Sequence, residues 1–402
     1  MRLKEICDYI SRGTTPDYVD ESPYKVMNQA TFSKGWLDES NLRYTSKNVR
    51  EAQIKKGDLL MASTGGGVLG KVFFFDSDDT SFYADSHVSI LRNSKGKSLM
   101  KYLYYVFSIK YDEINATMVK GSTNQTELQR NYLLAYELDM PPLSKQQRIV
   151  DYLDEKLGNI DARIAVLEKQ QDAYARLKKS IIYHTVTRGL NSNVSLKDSG
   201  VDWIGMITEH WELRLFKSIF TECKSITQTG EENLLSVSEY YGVARRIDKM
   251  EDGEYESRAN SLIGYKVCKK NDLVINIMLA WKRGLGFSNF DGIVSPAYAV
   301  YRGKNIVPHY FHYLMRTDMY VTEYKRNSKG IIDSRLRMYT DRFNNIMSIF
   351  PPIPEQQTIA DYLDEKCSKI DAAIENIGKQ INALKRLKRA LINEVITGQR
   401  AV

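Results

Sequence analysis

The sequence predicts an α+β chain: two globular mixed α/β domains separated by two long helices that pair as an antiparallel coiled coil, with a pseudo-two-fold internal repeat. Three observations predict this. The hexamer DYLDEK occurs twice, at Asp151–Lys156 and at Asp361–Lys366. The likeness around it runs far beyond six residues. The stretches preceding each copy switch from helical periodicity to strand-type alternation.

The duplication comes first. PPLSKQQRIVDYLDEKLGNIDARI from Pro141 aligns with PPIPEQQTIADYLDEKCSKIDAAI from Pro351, and 23 of 50 positions are identical without a gap. Chance does not give that, so the chain carries two copies of one design. Each copy reads as one helix. The Pro-Pro pair holds the preceding segment extended. Ser144 with Gln147 forms a capping-box pattern, and Pro354 suits a first helical position. The copies end near Gly189 and Gly398. About 40 residues at 1.5 Å each make a rod of roughly 60 Å.

The apolar spacing indicates what each rod packs against. Leu153, Leu157, Ile160, Ile164, Leu167, Gln171 and Tyr174 alternate by four and three in the first copy. Leu363, Cys367, Ile370, Ile374, Ile377, Ile381 and Leu384 do so in the second. A 3.5-residue period is a coiled-coil seam. Neither helix has a partner inside its own copy, so each is expected to pair with the other, antiparallel. Asp151, Asp154 and Glu155 are placed in the first turns, where carboxylates favour the helix dipole. That placement accounts for the hexamer without a catalytic role.

The expected domains are 1–142, a mixed globule; 143–190, the first spacer helix; 191–350, a second globule; and 351–402, the second spacer helix. DLLMAS, GKVFFFD and HVSILR read as strands in the first globule, and DLVINIM, YKVCKK and GIVSPAYAVYR in the second. Traces of the repeat persist there. Lys55-Lys56-Gly57-Asp58-Leu59 parallels Lys269-Lys270-Asn271-Asp272-Leu273. HVSILR ending at Arg92 parallels AYAVYR ending at Arg302, and KYLYYVF from Lys101 parallels HYFHYLM from His309.

Composition bounds the function. The chain has 402 residues, 43% hydrophobic and 27% charged, and a net charge of +7. Residues 171–190 hold four cations and one acid; residues 381–400 hold five and one. The remainder is balanced, so the surplus fits cations near helix C-termini as well as it fits nucleic acid. The scattered Cys7, Cys223, Cys268 and Cys367 suit free thiols in a reducing cytoplasm. No apolar run approaches the ~18 residues of a membrane span, and MRLKEICDYISRG lacks the apolar run of a secretion signal. A cytoplasmic protein with no membrane association is expected.

Several motifs invite chemistry. GGGVLGK at Gly65–Lys71 resembles a phosphate-binding loop, but Val72 follows where Ser or Thr would hold magnesium. Phe73-Phe74-Phe75 then continues as a strand, so a glycine-rich hairpin loop is expected. The Pro-Pro pairs lack the chemistry of an adenine methyltransferase motif. His309 and His312 have no evident third ligand, so no metal is expected. No catalytic constellation emerges. What remains are polar loops suited to nucleic acid. They supply Arg12, Thr14 and Thr15; Ser63, Thr64 and Lys71; and Lys120, Ser122, Thr123, Asn124 and Gln125. The second half supplies Trp281, Lys282 and Arg283, then Lys329, Ser334 and Arg335.

At this point the chain resembles the specificity subunits of Type I restriction–modification systems along essentially its whole length. PPLSKQQRIVDYLDEK and PPIPEQQTIADYLDEK carry the resemblance. So do Val201-Asp202-Trp203-Ile204-Gly205 with Glu209-His210-Trp211-Glu212, and the loops KGSTNQTEL and Gly330–Leu336 ahead of each Pro-Pro pair. The first globule lacks the WIG…HWE lead-in and is expected to have an abbreviated start. The resemblance implies two target-recognition domains, each reading half of a bipartite sequence in double-stranded DNA. It implies spacer helices that set the gap and dock two methyltransferase subunits, joined by restriction/translocase subunits. It implies no cofactor in this chain, with S-adenosylmethionine, ATP and magnesium held by the partners. The alternative is a non-catalytic coiled-coil scaffold or regulator without DNA sequence specificity.

Overall fold

A computed structural model of the chain describes residues 1–46, 49–120, 126–245 and 261–402. It contains two compact units, Met1–Glu168 with Lys379–Val402, and Lys169–Gly378. Each unit therefore takes a stretch from both ends of the repeat.

In the first unit an antiparallel sheet runs in the order Tyr9–Arg12, Val88–Arg92, Leu59–Ala62, Val72–Phe74. Leu59, Leu60, Met61 and Ala62 are all buried, as a central strand covered on both faces requires. A second sheet, Tyr18–Val19, Arg43–Thr45, Tyr24–Met27, Phe82–Ala84, packs on one face around Met27, Phe32, Phe75 and Phe82. The other face is covered by the helix Met100–Ser108, by Ile149, Val150, Leu153 and Leu157, and by Leu391, Ile392 and Val395. GGGVLGK is the turn of the hairpin Leu59–Ala62/Val72–Phe74, with Gly65, Gly67 and Gly70 at positive φ. A strand follows it, not the helix a phosphate loop needs.

In the second unit the antiparallel order is Phe220–Glu222, Tyr298–Gly303, Leu273–Asn276, Leu285–Phe287. Leu273–Asn276 is again buried along its length. The helix Pro308–Met315 buries Tyr310, Phe311, Leu314 and Met315 in a large aromatic core with Phe216, Phe220, Tyr320 and Phe343.

The two long helices are Leu143–Arg188, 46 residues, and Ile353–Ile396, 44 residues. The expected capping box does not form. The first helix already starts at Leu143, and the Gln147 amide donates to Asp151 at 2.7 Å. The neighbouring glutamine does the anchoring. Buried Gln146 donates to the Pro141 carbonyl and accepts from the Ser98 hydroxyl and the Leu99 N–H. Gln356 does the same job in the second unit, donating to the Pro351 carbonyl and accepting from the Val307 N–H.

The dipole account of DYLDEK also needs correction. Asp154 lies about three turns inside its helix, beyond the reach of the terminal partial charge. Its carboxylate instead accepts from the Tyr105 hydroxyl and pairs with Lys101 at 2.7 Å. Asp364 accepts from the Tyr313 hydroxyl at 2.7 Å and meets His309 Nδ1 at 3.0 Å. In each unit this aspartate fastens the long helix to a short helix of the globule.

Among the described residues no helix is long and apolar enough to cross a membrane. The four cysteines are free thiols.

Candidate nucleic-acid interface

Residue type makes each polar loop a candidate, and its backbone frame decides what each side chain is free to do. In the first unit, Thr14 follows the sheet edge strand and bridges to Asp85, its N–H donating to the Ala84 carbonyl at 3.3 Å. Thr64 sits at the mouth of the glycine hairpin, its hydroxyl 2.7 Å from His87 Nδ1. The same turn is laced to the segment after the Lys120 loop. Leu128 N–H donates to the Ser63 carbonyl at 2.8 Å, and Thr64 bridges to Glu127. Arg12 closes the group, pairing with the Glu127 carboxylate and donating to the Leu128 carbonyl at 2.9 Å.

This geometry separates the candidates. Ser63 is fully buried and its hydroxyl lies 2.6 Å from that of Ser89, so it is withdrawn from the surface. Arg12 has its charge answered by Glu127, which makes it a strut for the loop more than a free phosphate ligand. Thr14 and Thr64 are half-buried and Thr15 is exposed. Lys71 is half-buried at the end of the hairpin turn. Ser122, Thr123, Asn124 and Gln125 lie outside the described residues; of Lys120 only the backbone is described, pairing with Glu127.

In the second unit, Ala280–Lys282 forms a short 3₁₀ turn, and Arg283 follows in the left-handed region at φ 62°. The Trp281 indole N–H donates to the Met278 carbonyl at 3.0 Å. The Lys282 and Lys325 ammonium groups stand 5.0 and 5.2 Å from its ring, within cation–π range. Lys282 is exposed, a cation mounted on an aromatic platform. Arg283 is not free. It pairs with Asp318 and donates to the Arg316 carbonyl. Lys329 and Arg337 exchange both backbone hydrogen bonds at 2.9 Å, clasping the loop between them. Lys329 and Arg335 are exposed on that loop, and of Ser334 only the backbone is described.

At the opposite end of each central strand lies the same buried support. Asp58 accepts from Arg92 Nε and Nη2 at 2.6 Å and from the Lys55 N–H at 2.7 Å. Asp272 accepts from Arg302 Nε and Nη2 at 3.0 Å and from the Lys269 N–H at 2.9 Å. Gly57 at φ 88° and Asn271 at φ 69° make the same left-handed turn just before each aspartate. Pairing with these carboxylates raises the pKa of both guanidinium groups.

The WIG…HWE lead-in also finds a physical role. Trp211 is fully buried, and its indole N–H donates to Glu355 at 3.0 Å while His210 Nε2 lies 2.6 Å from the same carboxylate. The Thr208 hydroxyl donates to the Arg188 carbonyl at 2.8 Å, capping the first long helix. The lead-in thus ties the end of one long helix to the first turn of the other. Position 145, the counterpart of Glu355 in the first copy, is lysine, which offers no acceptor.

No group of His, Cys, Asp and Glu able to hold a metal ion occurs among the described residues. His309 is committed to Asp364.

Comparison with known proteins bears on this frame. Residues 1–173 match the model of the Type I restriction modification DNA specificity domain. The chain is 22% identical over 319 residues to the Type I restriction enzyme EcoBI specificity subunit of Escherichia coli, covering 74% of this chain and 65% of that one. It therefore spans just under two thirds of that relative's length. Two solved structures share its fold. One comes from work on complex assembly and conformational transition of the type I R-M system, with TM-score 0.67, 14% identity, and 98% and 96% of the two chains covered. The other is the HsdS subunit from Thermoanaerobacter tengcongensis, with TM-score 0.51, 14% identity, and 100% and 96% covered. The first 173 residues are thus similar to a Type I restriction modification DNA specificity domain, and the fold of the whole chain is shared with the two solved structures.

Proposed function

We propose that this chain supplies the DNA sequence specificity of a Type I restriction–modification complex and performs no chemistry of its own. Residues 1–142 and 191–350 act as target-recognition domains, each reading one half of a bipartite site in double-stranded DNA. Residues 143–190 and 351–402 pair as an antiparallel coiled coil, set the gap between half-sites and dock two methyltransferase subunits. Those subunits bind S-adenosylmethionine and modify adenine. Restriction/translocase subunits join through them and use ATP and magnesium in the cytoplasm.

One observation carries the reading: a single scaffold is used twice under two different loop surfaces. Asp58–Arg92 corresponds to Asp272–Arg302, Gln146 to Gln356, and Asp154 to Asp364. The ion pairs of the long helices support an antiparallel, two-fold arrangement. Within the first unit Lys388 pairs with Asp161 at 2.6 Å, and within the second Lys178 pairs with Asp371 at 2.6 Å. These are the same two positions with the copies exchanged, since each residue lies 210 from its counterpart. Burial of Leu153, Leu157, Ile164, Leu167, Leu363, Ile370, Ile377 and Ile381 supports the seam, with Ile160, Ile374 and Leu384 half-buried beside it. The loops above the scaffold share little beyond the Lys-Gly start of Lys120-Gly121 and Lys329-Gly330, as two different half-sites would require. Exposed Lys282, Lys329 and Arg335 suit phosphates, and polar Thr14, Thr15 and Thr64 suit base edges.

Mapping methylated adenines in cells with and without the chain tests the proposal. A bipartite motif with a fixed gap that vanishes on deletion is expected. A scaffold without sequence specificity would leave methylation unchanged and show no preference in a randomised-duplex selection; that result would sink the reading.

A further inference from the structure

The most costly arrangement in the second unit involves residues that neither the motifs nor the scaffold account for. Arg316 is half-buried, and among the described residues its guanidinium donates to four backbone carbonyls. Nη1 donates to Arg283 and Leu285 at 2.7 Å. Nη2 donates to Glu239 at 2.8 Å and to Tyr240 at 3.1 Å. Taking a cation out of water is unfavourable unless hydrogen bonds or a counter-charge answer it, and among the described residues the carbonyls do so. Burial and the neighbouring Arg283 cation lower the Arg316 guanidinium to about 10, so it stays charged at neutral pH.

What the carbonyls belong to gives the arrangement its meaning. Arg283 and Leu285 belong to the Trp281 turn. Glu239 and Tyr240 form the tip of the hairpin Leu235–Ser238/Gly242–Arg245. The tip has three residues, and Gly242 takes the left-handed position that such loops need, at φ 83°. A Cβ there would also meet His312 at 3.2 Å. The hairpin base is rigid, with Leu235, Val237 and Val243 buried against Val274 and Val300. Its tip, by contrast, presents Tyr240 at 83% exposure and Tyr241 at 41%. A fixed aromatic in water forgoes a large burial gain. A cation is spent to hold it there, beside the Trp281–Lys282 platform.

We propose that the Glu239–Tyr241 hairpin tip is a further DNA-reading element of the second half-site, contacting bases through the Tyr240 ring, and that Arg316 is the positioning residue that locks it to the Trp281 turn. This rests on the function proposed above. The tip carries a carboxylate and no cation, so it does not bind phosphate. It acts by contact with base edges in a groove, where an aromatic ring meets apolar groups such as the thymine methyl. Phosphate charge comes from Lys282 on the adjoining turn. Arg316 does not touch DNA; it fixes the spacing between an uncharged reader and a charged anchor.

The test uses the full chain assembled with its methyltransferase subunits. Wild type is first taken through a selection on randomised duplexes, and failure to recover a bipartite site would refute the function itself. On the recovered site, Tyr240→Ala is expected to weaken binding about 5- to 100-fold, the range of one lost base contact, with the slope of log K against log salt unchanged. Tyr240→Phe is expected to retain binding. Lys282→Ala is expected to flatten the salt slope by about one. Arg316→Lys, which keeps the charge but cannot reach four carbonyls, is expected to relax discrimination at the second half-site alone. The first half-site then serves as the folding control in the same molecule. The proposal is overturned if Tyr240→Ala binds within twofold of wild type, if it flattens the salt slope, or if Arg316→Lys loosens both half-sites equally.

Discussion

The paired aspartates at the heads of the two central strands allow one substitution to be made twice in one molecule. Asp58 and Asp272 have nearly identical bonding, yet their arginines differ in exposure: Arg92 is 19% exposed and Arg302 is 55%. Asp58→Asn keeps the shape and the Lys55 N–H contact but removes the charge that answers a largely buried guanidinium. Breaking a buried pair from one side costs about 3–5 kcal/mol. Asp272→Asn frees an arginine that can rehydrate, so only the charge-assisted hydrogen bonds are lost, about 1.5–3 kcal/mol. Hydrogen exchange read by mass spectrometry on Leu59–Ala62 and Leu273–Asn276 reports the two sites separately. We expect Asp58→Asn to speed exchange in its own strand more than Asp272→Asn does in the other. Equal losses, or a larger loss at Asp272, would refute the argument that arginine exposure sets the cost.

Three further outcomes follow. Lys178→Asp is expected to destabilise the second unit by about 0.5–1 kcal/mol at low salt, and adding Asp371→Lys to restore it, as measured by urea denaturation; a double variant no better than the single would remove the pair from the helix contact. Burial, aided by the Arg316 cation and His309 and opposed by Asp364, lowers His312 to about 3 from 6.5. The folded state then stays neutral while the unfolded state takes a proton, so stability falls as pH drops below 6.5, by up to about 2 kcal/mol at pH 5. His312→Gln should remove that fall, and an unchanged pH profile would count against it. Finally, adding one heptad to both long helices lengthens each by about 10 Å and keeps the seam period. If the helices act as a ruler, methylation mapping should show the gap widened by about three base pairs with both half-sites intact.

The long helices were legible because a coiled-coil period is written into consecutive residues. Their 3.5-residue spacing needs no knowledge of the rest of the chain. The glycine-rich turn was legible for a similar reason: Val72 and the phenylalanines after it exclude a phosphate loop locally. The role of DYLDEK was not, because Asp154 and Asp364 answer side chains about 50 residues earlier. A signal did exist. Lys101 and Tyr105, like His309 and Tyr313, stand four apart on aligned segments, and such a spacing presents two donors on one helix face. Their shared acceptor could have been sought among the carboxylates of DYLDEK that both copies keep.

The loop residues were the least legible, and the reason is physical. Arg12 and Arg283 look like phosphate ligands by residue type, but each is held by a carboxylate, Glu127 or Asp318, that lies far away in sequence. Tyr240 carries no motif at all, since exposure at a hairpin tip is a property of the fold. Arg316 is hidden for the opposite reason: its partners are carbonyls, which every residue possesses and no sequence pattern marks. On the function proposed above, specificity depends on two kinds of residue. Those that touch DNA must differ between the two globules. Those that aim them, such as Arg316 between loops, must satisfy backbone geometry and so constrain which loops the scaffold can carry. A new half-site grafted onto the second globule should keep its selectivity only if the incoming hairpin returns two carbonyls to the Arg316 guanidinium.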